Sequence, residues 1–381
     1  MMMLKNVKKF NIFLVYVKKI MFSYIRGDDN MKLLPFNDFD LKTPRILEAL
    51  NEASRSLAEL KGFANSIPNQ HNLINAITTN EAKDSSEIEN IVTTYDSIYK
   101  VLTESGYKDE SAKEVVDYRS AIWRGYEIIK EKGFISTNVL VELQGMIEHN
   151  KAGIRKNSGT KLVNSKTREV IYTLPQEEKE IRDLLKNLED YINENDDEID
   201  PLIKMALIHY QFESIHPFYD GNGRTGRILN VLYLVINNLL DSPILYLSNY
   251  INKNKDQYYN LFTEFRENNN YEDWIIYILK GIKETSKNTI ELIKLIQNEM
   301  ESYKEEFMTK LPKIYSDELL DSLFFEAYTR INYIEDRCGV TRQTAATYLN
   351  SLVDAGLLEF EKVGRESIYK NTRLIDLLSN F

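Results

Sequence analysis

A twelve-residue run, His216-Pro-Phe-Tyr-Asp-Gly-Asn-Gly-Arg-Thr-Gly-Arg227, constrains this chain more than any other stretch. Helix formers flank it from Pro201 to Ile215 and from Ile228 to Leu240, so it reads as a tight loop between two helices that ends at a helix N-terminus. Such an end presents backbone N–H groups and the positive pole of the helix dipole to an anion. Gly221 and Gly223 let the backbone curl so that successive N–H groups converge on a phosphate. Arg224 and Arg227, three residues apart, reach the same side of the following helix. Asp220 is a hard oxygen ligand suited to Mg²⁺ beside a phosphate. His216 is the one side chain here that moves a proton near neutral pH without a perturbed pKa. Singly, each residue is explained by a turn or a local ion pair. Their concentration in one loop points to a nucleotide phosphate and to deprotonation of a group that attacks it.

The run resembles the signature of the Fic (Fic/Doc superfamily) proteins, HPFx(D/E)GNGRxxR. It matches at His216, Pro217, Phe218, Asp220, Gly221, Asn222, Gly223, Arg224 and Arg227. The resemblance implies transfer of AMP from ATP to a Ser, Thr or Tyr hydroxyl of a target protein, self-modification included. It assigns His216 as general base and Asp220 as the residue holding Mg²⁺. Gly221, Asn222 and Gly223, with Thr225 and Gly226 behind them, would bind the nucleotide. Arg224 and Arg227 would hold the triphosphate. Physical chemistry agrees, because phosphoryl-type transfer needs positioning and charge neutralisation more than covalent help.

Upstream, Ser85-Ser-Glu-Ile-Glu-Asn90 matches the family's inhibitory motif, (S/T)xxxE(G/N), at Ser85, Glu89 and Asn90. The resemblance implies that Glu89 pairs with Arg227 and competes with the γ-phosphate for one guanidinium; such bidentate carboxylate pairs are strong and directional. A brake N-terminal to the core is similar to the family's second inhibition class, some of whose members also remove AMP. The competing reading of Glu89 is a solvent-facing helix carboxylate. Gly153–Thr173 reads as a β-hairpin. In Fic proteins this hairpin is a flap that positions the target, which would place Leu162, Val163 and Asn164 against an extended target segment. Tyr258 and Tyr259 resemble the family's tyrosine-bearing helix beside the nucleotide pocket, with core packing as their other role.

The rest of the chain reads as mainly α. Helices are expected around Leu47–Leu60, from near Asn72 after a Pro68 turn, over Ile91–Leu102, 111–131, Thr137–Asn150 and Glu177–Ile192. Residues 193–200 read as a solvated acidic linker. A charged helical stretch, Ser286–Lys310, leads out of the core. Beyond Pro312, helices at Leu319–Tyr328, Tyr333–Cys338 and Arg342–Ala355 precede two strands around Gly364-Arg365, a winged helix-turn-helix pattern. Arg342, Gln343, Thr344 and Tyr348 would lie on its recognition helix and Lys362 and Arg365 on its wing. Eight nearby acidic residues weaken the case for DNA, so a protein-interaction or packing role competes with it on at least equal terms. The expected fold is thus a Fic-type helical core with a β-hairpin flap and a C-terminal winged helix. Its divisions are 1–31 as an N-terminal extension, 32–110 with the inhibitory helix, 111–285 as catalytic core, 286–312 as linker helix and 313–381 as winged-helix domain.

Composition narrows the function classes. A net charge of −10 argues against nonspecific nucleic-acid binding as the main role. One cysteine, Cys338, excludes an intrachain disulfide framework and a cysteine zinc site, and fits a reducing cytoplasm. Residues 4–26 mix lysines with apolar residues, and the longest apolar run, Ile12–Val17, is too short to span a bilayer. Lys18 and Lys19 interrupt what would otherwise resemble a signal peptide. The preferred reading is an ordinary N-terminal segment, or a start placed too early with Met21 or Met31 as the true one, over a membrane-surface helix. The expected partner is a target protein, with a homodimer implied by resemblance and no stable membrane insertion. The alternative from another class is a winged-helix DNA-binding regulator whose core senses nucleotide; an intact His216 argues against it. A related transfer of phosphate, UMP or phosphocholine is the other enzymatic option, and intact Gly223 and Arg224 favour AMP.

Overall fold

The computed structural model describes residues 31–67, 70–104, 106–156, 161–163, 170–194, 198–364 and 366–381. The N-terminal segment before Met31, the Pro68 turn, the hairpin tip with Asn164, the middle of the acidic linker and Arg365 lie outside the described residues. Residues 38–381 form one compact unit. Among the described residues no helix is long and apolar enough to cross a membrane.

The architecture is mainly helical. Helix α1 (Pro44–Asn65) starts on a Thr43 cap, with Pro44 at its first turn, and buries Ile46, Ala49, Ala53, Leu57 and Leu60 on one face. Helix α2 (Gln70–Ile88) ends in a turn at Glu89-Asn90, where Asn90 takes φ 65°. The helix expected over Ile91–Leu102 begins later, as α3 (Tyr95–Thr103), because Thr94 supplies the cap. Helix α4 (Glu110–Lys132) runs from an Asp109 cap to left-handed Gly133. It buries Val115, Tyr118 and Ile122 but leaves Val116 and Trp123 half-exposed. Helix α5 (Thr137–Ile147) is shorter than the expected Thr137–Asn150.

The hairpin forms as β1 (Lys161–Val163) and β2 (Val170–Thr173), antiparallel, with a register irregularity between Leu162 and Val163. After α6 (Glu178–Asn193) come α7 (Pro201–Ile215) and α8 (Asn222–Ile236), buried along nearly their whole lengths. Helix α8 starts inside the signature run, so the loop itself is only residues 216–221, and it stops at Ile236 rather than Leu240. Two short helices follow, α9 (Leu247–Lys253) and α10 (Lys255–Asn268).

The charged stretch after residue 286 is no separate linker. It is the second half of α11 (Tyr271–Lys310), 40 residues long and about 60 Å at 1.5 Å per residue. Nothing between Trp274 and Lys310 breaks it; its one glycine, Gly281, packs where a Cβ would meet Tyr250 and Leu247. Trp274 donates its indole N–H to the Ala206 carbonyl at 2.9 Å and thereby fixes α11 to α7.

The last part runs α12 (Asp317–Phe325), β3 (Tyr328–Thr329), α13 (Ile331–Cys338), α14 (Arg342–Asp354), β4 (Glu359–Val363), β5 (Glu366–Lys370) and α15 (Thr372–Asn380). Its sheet has the order β3-β5-β4. Tyr328, read from sequence as the end of a helix, is in β3 and pairs with Lys370. Helix α15, capped by Asn371 and burying Leu374 and Leu378 four residues apart, adds an element beyond those expected from the sequence.

Candidate functional site

The signature run is built around a sharp exit from α7. His216 is the C-cap of that helix in a left-handed conformation, φ 48°, with its N–H bonded to the Phe212 carbonyl at 3.0 Å. Pro217 and fully buried Phe218 then turn the chain inward. Asn222 locks the turn: its Oδ1 accepts from Phe218 N–H at 2.8 Å and its amide donates to the Phe218 carbonyl at 2.9 Å. Left-handed Gly221, φ 76°, caps α8 with no side-chain cap, so the first N–H groups of α8 are not taken by a capping side chain. Behind it, Thr225 bonds back to the Gly221 carbonyl through its amide at 2.9 Å and its hydroxyl at 2.8 Å.

The histidine is held neutral. Burial, and then the nearby Arg155 guanidinium, push its pKa down to about 4. Its Nδ1 is buried with no hydrogen-bond partner among the described residues. Arg155 is the residue that sequence reasoning missed. It is fully buried, donates Nε to the His216 carbonyl at 2.8 Å, and bonds its amide to the Pro217 carbonyl at 2.9 Å. Next to it, Lys156 N–H donates to the Tyr219 hydroxyl at 2.9 Å. The chain leading into the hairpin is therefore tied to the histidine's own loop.

Asp220 is exposed, and its Oδ1 accepts the Gly221 N–H at 2.8 Å. Gln144, at the end of α5, donates to the Asp220 carbonyl at 3.1 Å. Among the described residues no group of three potential metal ligands exists. A single exposed carboxylate still fits Mg²⁺, an ion that keeps most of its shell as water and substrate phosphate oxygens.

The two arginines have different partners. Arg227 is 4% exposed; its Nε donates to Ser85 Oγ at 2.8 Å, and Nη2 donates to the Ser85 carbonyl at 2.9 Å and to Glu89 Oε1 at 2.8 Å. Burial works against its charge, but Glu89 and then Tyr118 and Glu213 overcome it and raise its pKa. Glu89 is also desolvated, yet Arg227 holds its pKa below the usual carboxylate range. The same Glu89 oxygen lies against Gly223, where any Cβ would collide with it. Arg224, equally buried, is bound by Glu114 at 2.7 Å and Glu148 at 2.5 Å. Glu148 also packs on Gly221, 2.8 Å from a Cβ placed there.

Of the two tyrosines, Tyr258 faces the core and shares a 3.0 Å hydrogen bond with His209 Nε2. Tyr259 is 47% exposed, its ring meets that of Tyr258 edge-on at 5.2 Å, and burial and then the Glu89 charge push its pKa up to about 12. Glu213 was also missed: its buried carboxyl lies against Gly226, and burial pushes its pKa up to about 7. A buried Glu or a buried Arg leaves no periodic trace in a sequence. Leu162 and Val163 stand on β1, which is paired to β2, while Asn164 lies outside the described residues. On α14, Arg342 and Gln343 are exposed and Thr344 and Tyr348 half-buried, with Lys362 exposed on β4.

Three family models match the chain in order: the Fic/DOC family N-terminal model over residues 47–127, the Fic/DOC family model over 134–234, and the C-terminal domain of SoFic-like protein adenylyltransferases over 300–374. Protein adenylyltransferase fic-1 of Caenorhabditis elegans is 42% identical over 50 residues, 13% of this chain and 10% of that protein. A probable protein adenylyltransferase of Aquifex aeolicus is 40% identical over 73 residues, 19% and 20% of the two chains. The matches thus span a fifth or less of these curated relatives. A solved Fic family protein from Desulfovibrio desulfuricans superposes with a TM-score of 0.53 over 86% of this chain and 96% of its own, at 18% identity, which shows a shared fold.

Proposed function

We propose, from its membership of the Fic/DOC family, that this chain is an autoinhibited protein adenylyltransferase that moves AMP from ATP to a side-chain hydroxyl of a target protein. The observation that carries the reading is the Glu89–Arg227 pair seated over Gly223, the point where the nest at the start of α8 opens.

The chemistry follows from the residues. The target oxygen attacks the α-phosphorus of ATP, the bond to the β-phosphate oxygen breaks, and pyrophosphate leaves with that electron pair. His216, neutral because of burial and Arg155, accepts the hydroxyl proton. The N–H groups of Asn222, Gly223 and Arg224 and the α8 dipole would stabilise the charge on the phosphate oxygens. Asp220 would hold Mg²⁺, which supplies charge neutralisation at the phosphates. Tyr259 would border the nucleotide. The paired strands β1 and β2 would hold an extended target segment through main-chain hydrogen bonds.

Arg227 would bind the γ-phosphate once Glu89 leaves. In the described state its guanidinium is occupied by Glu89 and Ser85, so the triphosphate meets a carboxylate instead of a cation. Removal of AMP would use the same groups hydrolytically: Glu89 would align a water that attacks the phosphorus, and the bond to the target oxygen would break to release AMP and the free hydroxyl. In this reading residues 32–110 carry the brake, 111–285 the chemistry, and 313–381 form a winged-helix domain.

The test is AMP incorporation from labelled ATP and Mg²⁺, into lysate proteins and into the chain itself. Glu89→Gly is expected to raise it roughly 10- to 100-fold, and adding His216→Ala to remove it. Absence of label from any nucleotide with the Glu89→Gly protein would sink the transferase reading.

A further inference from the structure

The helix that carries the brake is gripped at its other end by the C-terminal module. Asn75, near the start of α2, donates its side-chain amide to the Phe325 carbonyl at the end of α12, at 2.6 Å. Arg119 of α4 bridges the two: it donates to Thr79 Oγ1 at 3.1 Å and to both oxygens of Glu326 at 2.9 and 3.3 Å. That ion pair is largely shielded from water, with side chains 12% and 15% exposed. Helix α3, next after the brake, is held too. Asp96 accepts from the Tyr328 hydroxyl and pairs with Lys370 at 3.5 Å, and the Tyr333 hydroxyl donates to the Leu102 carbonyl at 3.4 Å.

Between these ends α2 is stiff. It has no glycine or proline from Ile74 to Ile88 and is buried along nearly that whole stretch. Asn80 accepts from Tyr95, Glu81 from Ser248 and Asp84 from Asn249. From Asn75 to Glu89 is about 20 Å of helix at 1.5 Å per residue. A shift at Asn75 and Thr79 therefore reaches Ser85 and Glu89 as a rigid displacement rather than being absorbed by a bend.

We propose that residues 317–370 are the holder of the brake. Docked on α2 and α3, they keep Ser85 and Glu89 on Arg227; a partner that draws the module off α2 frees Arg227 for the triphosphate. The inference rests on the reading of Glu89 as a brake and adds where its release signal enters. Coupling of this kind is reciprocal, so loss of the Glu89 contact must also loosen the module.

The test uses the full chain with Asn75→Ala, Glu326→Gln and Tyr328→Phe together, which removes polar ties while nearly keeping side-chain volume at two of the three sites. AMP incorporation is expected to rise roughly three- to tenfold, with faster amide exchange over residues 84–90. In a Glu89→Gly background the same three changes should add nothing. If Glu89→Gly itself gives no increase, the brake reading falls. If it does, and the triple variant does not although exchange over 317–329 shows the module loosened, the holder is overturned and the interface is packing alone. Should the triple variant misfold or stay docked, the reciprocal measurement decides in the single variant. Exchange at 323–329 must quicken several-fold in Glu89→Gly, and unchanged exchange there overturns the proposal.

Discussion

Arg224 and Arg227 lie one turn apart on α8, are equally buried, and are read alike from sequence as phosphate clamps. Their surroundings separate them. Arg227 is in direct ion-pair contact with one carboxylate, Glu89, which sits in a turn just past the end of a helix. Arg224 is countered by two, Glu114 and Glu148, from α4 and the C-cap of α5. One anion on a helix end can withdraw and leave a full positive charge facing the nest. Arg224 is held at both ends of its guanidinium, by Glu114 through Nη1 and by Glu148 through Nη2, which predicts a structural part for it, as a strut, beside the triphosphate contact expected of both arginines. Similar residues in one motif thus have different partners, which predicts different work for them.

The sharpest way to break this contrast is to remove each guanidinium in the Glu89→Gly background. Arg227→Ala is expected to lower AMP transfer by about a hundredfold or more, the cost of losing a positioned charge on the γ-phosphate of the leaving pyrophosphate. Arg224→Ala is expected to act first on stability, since it strands Glu114 and Glu148 beside each other. Thermal unfolding and initial rates, measured on both proteins, separate the outcomes. A loss of rate at Arg224 equal to that at Arg227, with an unchanged Tm, would show that both arginines clamp.

Next in size is the response to pH. His216 has its pKa lowered to about 4, so its neutral form persists through the range where an ordinary histidine becomes charged. The folded-state value lies below the unfolded one, so the base is lost only as pH falls toward 4. In Glu89→Gly the rate should stay level from pH 8 to about 5.5 and then fall about tenfold per unit below about pH 4. Arg155→Lys keeps the charge but not the planar fork that holds the His216 carbonyl. It should lower the plateau without moving the acid limb far. A limb near pH 6.5 would mean that burial does not control this histidine.

Much of this site was legible in the chain because its chemistry is local. Helix α7 runs over the expected Pro201–Ile215 and the turn at Gly221 lies within the signature run, whereas the Glu89–Arg227 contact, 138 residues apart, was expected only through the family resemblance. The hidden parts are long-range and buried. Arg155 holds the histidine's carbonyl from 61 residues away, and Glu148 reaches Arg224 across 76. Neither has a spacing that periodicity could reveal. The start of α8 lies earlier than expected because Gly221 and Asn222 look like loop residues, and a left-handed glycine ordinarily marks the end of a helix and not its start. Tyr328 was misjudged because an apolar run of a few residues fits helix or strand until its partner, β5, is known.

A smaller effect is expected at Glu148. Burial raises its pKa despite the attraction of Arg224, and Asp220 adds to the rise. Glu148→Gln keeps the shape against Gly221 and one hydrogen bond to Arg224 while removing a charge. If Glu148 were a second brake, this change would release transfer as Glu89→Gly does. As part of a strut, it should change the basal rate less than threefold and cost about 1–2 kcal/mol of stability, the scale of a weakened charged hydrogen bond. Assay of the single variant beside Glu89→Gln decides between these.

The smallest effect tests the same contrast at the tyrosines, where neighbours in sequence again have different surroundings. The Tyr258 hydroxyl shares a hydrogen bond with Nε2 of His209, whose pKa burial lowers to about 3 and whose other nitrogen Asn230 meets at 3.1 Å. Removing that hydroxyl leaves a buried imidazole nitrogen unpaired, so Tyr258→Phe should cost about 1–2 kcal/mol and leave the KM for ATP unchanged. Tyr259 is half exposed and meets the Tyr258 ring edge-on at 5.2 Å. Tyr259→Ala should leave Tm within a degree or two and raise the KM for ATP about two- to fivefold, the loss of one exposed aromatic contact. Equal effects of the two substitutions on KM would place both rings at the nucleotide and remove the division between a core tyrosine and a site tyrosine.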